Sequence, residues 1–122
     1  MKIQCIFFDL DSVLYIPAVF LENTLQLSVK IMIQHGLKAE FDQALAKLIE
    51  IRKEDSNATD HFDRLCLHFN GRYDPVIVAA GVEKYWDCKA GNMMHAPHAP
   101  FVLGKLRQHY RLALISNGIP VK

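Results

Sequence analysis

The sequence predicts an α/β fold in which a helical module is set into a small parallel-sheet core. Two short runs, Ile3 to Leu10 and Arg111 to Ile115, have the length and apolar character of strands buried on both faces. Four helix-period segments and a fifth, shorter one lie between them, too much chain for a plain crossover. Each apolar run also ends in polar residues: Asp9 and Asp11 after the first, Ser116 and Asn117 after the second.

The elements follow in order. Ile3 to Leu10 is apolar almost without interruption until Asp9. Val19 to His35 is apolar nearly all round and reads as a helix that stops at Gly36. Phe41, Ala44, Leu45, Leu48 and Ile49 keep the i, i+3, i+4 spacing of an amphipathic helix from Glu40 to about Lys53. Thr59 or Asp60 caps a third helix, with Phe62, Leu65, Cys66 and Phe69 on one face and Asn70-Gly71 at its end. Asp74-Pro75 opens a fourth, running to about Lys89 with Val82, Tyr85 and Trp86 on its buried face. Gly91 to Pro100 is a proline-punctuated connection, and a short helix from about Ala99 to His109 leads into the second strand.

Composition narrows the function classes. The chain has 122 residues, 51% hydrophobic and 22% charged, which suits one globular domain. A formal net charge of +1 with scattered Lys and Arg argues against nucleic acid or an anionic membrane surface as partner. No apolar stretch approaches a bilayer span, and the N-terminus lacks a secretory pattern. Cys5, Cys66 and Cys88 have no metal or disulfide spacing and read as reduced thiols of a cytoplasmic protein.

In an open α/β sheet, ligands bind outside the carboxyl ends of the strands. Asp9 and Asp11 would project to one side if the extended geometry continued past the strand. Two close carboxylates repel, and a bound Mg²⁺ would relieve this. One carboxylate can attack phosphorus while its neighbour moves the proton. Ser116 offers a hydroxyl, and the turn after it offers backbone N–H groups to phosphate oxygens.

With these residues in view, FFDLDSVLY resembles the first motif of the haloacid dehalogenase superfamily, DxDx(T/V)(L/V). Asp9, Asp11, Val13 and Leu14 fill its defining places and Ser12 the variable one. LALISNG resembles the second motif, with Ser116 at its hydroxyl position, and Pro97 to Leu106 is similar to the helix that precedes it. The resemblance implies a Rossmann-like core from residues 1–16 and 97–122, with a four-helix cap of the C1 type over 17–96. It implies an aspartyl-phosphate mechanism on a small phosphorylated metabolite, with Mg²⁺ as cofactor. Asp9 would be nucleophile and metal ligand. Asp11 would be general acid/base, adding its backbone carbonyl to the metal, and Ser116 and Asn117 would bind phosphate. The dehalogenase branch needs only the first Asp, so Asp11 favours phosphoryl transfer over 2-haloacid chemistry.

The family's third-motif Lys and fourth-motif acidic residues normally lie well beyond the second motif, whereas this chain stops at Lys122. The expectation is therefore a fragment or truncated form with little activity by itself. It would complete its sheet by association, as a homo-oligomer or a domain-swapped dimer. The rival reading is a non-catalytic interaction protein that retains the motifs. Other residues are read more plainly: His95 and His98 as solvated loop histidines, and His61 and His68 as surface residues. His35 is read as a helix-end dipole partner, and Cys5 as a small core residue.

Overall fold

The computed structural model describes residues 2–117. The elements run β1 (Cys5–Asp9), α1 (Ala18–Gln34), α2 (Phe41–Glu54), α3 (His61–Asn70), α4 (Pro75–Asn92), α5 (Ala99–Leu106) and β2 (Arg111–Ile115). This is the predicted order and the predicted α/β class. Gly118 and Lys122, part of the turn and chain end discussed above, lie outside the described residues.

The chain divides into two compact units, Met1–Val19 with Met93–Lys122, and Phe20–Asn92. In the first, β1 and β2 pair in parallel, in a register that runs from Cys5 opposite Arg111 to Asp9 opposite Ile115. The expectation of strands buried on both faces needs correction. Phe7 is 60% exposed, Leu114 54% and Ile115 57%. A two-stranded sheet with one short helix beside it has too little cover for both faces, and α5 itself has no fully buried residue. Cys5, accordingly, is only half-buried and not a core residue. Phe8, Leu112 and Leu114 line an apolar groove with Pro100, Leu103 and Gly104 of α5.

The second unit holds the core. Leu25, Val29 and Met32 of α1 meet Ala44, Leu48 and Ile51 of α2, Phe62, Leu65 and Cys66 of α3, and Ile77 and Val78 of α4. Their i, i+3, i+4 and i+7 spacings put them on single helix faces, as the apolar pattern requires. Gly36 and Gly71 end α1 and α3 at φ 109° and 68°, the left-handed region where glycine avoids a Cβ clash. Asp74 caps α4, its Oδ1 accepting from the Val76 N–H at 3.0 Å. Asn70 ties two loops together: its Oδ1 accepts from the Lys38 N–H at 2.9 Å and its Nδ2 donates to the Gly36 carbonyl at 3.1 Å.

Two side chains depart from the sequence reading. His61 is buried, not on the surface. Its Nε2 donates to the Asp55 carbonyl at 2.6 Å, and Arg52 Nη1 donates to its Nδ1 at 3.3 Å. These two bonds satisfy both ring nitrogens and close the α2–α3 connection. Trp86 is 42% exposed, with the Lys89 ammonium 5.0 Å from its ring centre. The fully buried face of α4 is made by Ile77, Val78, Gly81 and Cys88 instead. The reason is the close approach at Gly81, which turns a Cβ-free surface inward and rotates Trp86 outward.

Candidate functional site

The register sets the geometry of the site. Asp9 and Ile115 are paired last residues of adjacent parallel strands, so the two strands end flush. Neighbouring strands lie about 4.8 Å apart, which brings Asp9 and the Ser116-Asn117 segment to one end of the sheet. All four predicted site residues, Asp9, Asp11, Ser116 and Asn117, are exposed there.

The Asp9 carboxylate is oriented by its own backbone: Oδ1 accepts from the Leu10 N–H at 2.8 Å. Past Asp9 the chain leaves the sheet. Ser12 adopts a left-handed conformation, φ 63°, an uncommon choice for a residue with a Cβ. The turn gathers the N–H groups of Val13, Leu14 and Tyr15 onto the Leu10 carbonyl at 3.0–3.4 Å. The extended geometry assumed for Asp11 therefore does not persist into Ser12. Asp11 is held instead by a bridge to Tyr15, which is buried and bridges in turn to His95. The Ala96 N–H donates to the Leu14 carbonyl at 2.6 Å and locks the second segment to the first. Nothing in the local sequence around Asp11 signals this pairing with residues 95 and 96. A small polar residue at position 12 was the one available hint of a tight turn.

Asp9 and Asp11 offer hard oxygen donors of the kind Mg²⁺ takes. Among the described residues no group of three or more His, Cys, Asp or Glu side chains is arranged to hold a metal. One carboxylate and one backbone carbonyl fit Mg²⁺ in kind, because that ion commonly keeps several waters and shares phosphate oxygens with its substrate.

Known proteins with similar chains bear on the fold. A solved structure of the HAD-hydrolase YfnB from Bacillus subtilis, described as bound to magnesium, superposes with a TM-score of 0.56 at 14% identity, over 98% of this chain and 54% of that one. The fold is of the haloacid dehalogenase type. The resemblance drawn from FFDLDSVLY and LALISNG is borne out by curated relatives as well. Glyceraldehyde 3-phosphate phosphatase of Pyrococcus abyssi is 39% identical over 122 residues, spanning 98% of this chain and 51% of the relative. The same-named protein of Methanocaldococcus jannaschii is 35% identical, spanning 98% and 54%. The chain thus spans about half the length of these relatives. No family model matches it. No described helix is long and apolar enough to cross a membrane.

Proposed function

We propose that this chain carries the nucleophile half of a phosphatase site of the haloacid dehalogenase type, acting on a small phosphate monoester. Similarity to the glyceraldehyde 3-phosphate phosphatases favours a triose phosphate as substrate. The observation that supports this most is the flush pairing of Asp9 with Ile115, which ends both strands at the same edge of the sheet, the end where ligands bind in open α/β folds.

With Oδ1 engaged by the Leu10 N–H, the other carboxylate oxygen of Asp9 attacks phosphorus. An Asp9–phosphorus bond forms, the ester P–O bond breaks, and Asp11 gives its proton to the departing alkoxide. Asp11, now a carboxylate, takes a proton from water. That water's oxygen attacks phosphorus, and the aspartyl phosphate breaks to free Asp9 and inorganic phosphate. Ser116 and the Asn117 backbone hold the phosphate oxygens through both steps. Mg²⁺, held by the Asp9 carboxylate and by Asp11 through its backbone carbonyl, would neutralise charge on the phosphoryl oxygens. The helical unit acts as the cap that selects the substrate and excludes water. The three free cysteines suit a cytoplasmic protein.

Beryllofluoride, which mimics a phosphoryl group on a carboxylate, tests the nucleophile directly. With Mg²⁺ present, ¹⁹F NMR should show a protein-bound signal that vanishes in Asp9→Asn and survives in Asp11→Asn. Equal binding by wild type and Asp9→Asn, or a signal that depends on Asp11 alone, would remove Asp9 from its role.

A further inference from the structure

Side chains alternate along a strand, and partners in a parallel pair point to the same side. The register therefore gives the β1–β2 sheet two unlike faces. One carries Phe8, Leu112 and Leu114, which share a groove with Leu103 and Gly104 of α5. The other carries Cys5, Phe7 and Asp9 from β1, beside Arg111, Ala113 and Ile115 from β2. Phe7 and Ile115 are more than half exposed, and Ile3 just ahead of β1 is 66% exposed. Large apolar side chains exposed together mark an interaction surface. The charges on this face have an order. Arg111 pairs with Cys5 at the start of the sheet, and Asp9 pairs with Ile115 at its end. Both are exposed, and four residues of strand rise set them about 13 Å apart along the sheet.

We infer that this face is a self-association surface, on which a second copy of the chain packs face to face with its strands antiparallel. A two-fold axis lying across the strands reverses the direction of the second copy. It sets the Arg111 end of each copy against the Asp9 end of the other, twice by symmetry. Packed sheet faces lie about 10 Å apart, a gap that an arginine and a carboxylate span together. Phe7 and Ile115 fill the centre and leave water. A parallel arrangement would instead oppose Arg111 to Arg111 and Asp9 to Asp9, so the charge order fixes the direction. The apolar patch is small beside the roughly 800 Å² per partner of a stable interface, which makes the dimer weak and reversible. This inference rests on the fold and the register, not on the chemistry assigned to Asp9.

Sedimentation equilibrium of the whole chain, from micromolar to submillimolar concentration, reads the association. The average mass should rise from monomer towards dimer and no further. Phe7→Lys places a charge at the centre of the face and should weaken the dimer more than tenfold; the far-UV circular dichroism of the variant should stay unchanged, because Phe7 is exposed in the single chain. Asp9→Lys and Arg111→Glu each turn both ion pairs into repulsions and should each weaken self-association about tenfold. An equimolar mixture of those two variants restores opposite charges at both ends and should associate as tightly as wild type. A monomer at every concentration would overturn the inference and leave the face to a different chain. Association that ignores Phe7→Lys and Arg111→Glu would overturn it as well, and would place the contact at a strand edge. A mixture no tighter than the single variants would refute the antiparallel arrangement.

Discussion

Gly81 offers a test of the helical core in which two opposing terms can be weighed. A Cβ at this position would lie 2.7 Å from Met32 Sδ, 2.8 Å from Met32 Cγ and 3.2 Å from Phe62 Cδ1. Met32 is fully buried and Phe62 is 7% exposed, so neither can swing into solvent to make room. Forcing an extra methyl into such a core costs about 1–3 kcal/mol. Against this, replacing Gly by Ala within a helix gains about 1 kcal/mol of intrinsic propensity. The net expectation for Gly81→Ala is a loss of about 1 kcal/mol, near the middle of that balance. Gly91 supplies the control. It lies in the same helix, with nothing within 4 Å of its added Cβ, so Gly91→Ala should be neutral or stabilising by a few tenths of a kcal/mol this close to the helix end. Urea unfolding followed by far-UV circular dichroism reads both variants, with unchanged slopes showing that the transition keeps its character. If Gly81→Ala raised the midpoint as Gly91→Ala does, the close approach of α1, α3 and α4 at this point would be wrong.

Two further substitutions probe polar groups of the same unit. Thr24 is fully buried and its Oγ1 finds no hydrogen-bond partner among the described residues; Thr24→Val should stabilise by about 1 kcal/mol by removing an unsatisfied hydroxyl at nearly constant shape, and a fall in urea midpoint would show that the hydroxyl has a partner. Asn70→Ala removes both bonds of the loop clamp and should cost about 1–2 kcal/mol; the same variant should lose hydrogen-exchange protection at the Lys38 amide, and retained protection would contradict the clamp.

Much of the architecture is legible in the sequence because it rests on local signals. The strand Arg111–Ile115 was expected at those bounds, and Gly36 and Gly71 stop their helices by backbone conformation alone. Asp74-Pro75 opens α4 for equally local reasons. What escaped depends on distant partners. The burial of His61 follows from Arg52 on α2 and the Asp55 carbonyl, which a helical-wheel argument cannot supply. Trp86 looked like core by its chemistry, yet the close packing at Gly81 gave the inward face to smaller residues. The strand-end positions of Asp9 and Ser116 were legible because each follows directly on a short apolar run. The bridge from Tyr15 to His95 spans the whole helical unit in sequence, and no periodicity reports it.

The Asn70 clamp also bears on how the protein ages. Asn-Gly is the dipeptide whose side chain is most easily lost to succinimide formation, because the glycine nitrogen can swing onto the amide carbon. Here that nitrogen is occupied: the Gly71 N–H donates to the Leu67 carbonyl at 2.9 Å as the cap of α3. The amide under threat is itself held at both ends, by the Lys38 N–H and the Gly36 carbonyl. Deamidation at this position therefore requires the end of α3 to fray first. Conversion to aspartate would delete the donor that reaches Gly36 and make the next fraying event easier. The lifetime of the Asn70 amide is thus set by the opening rate of a single helix terminus.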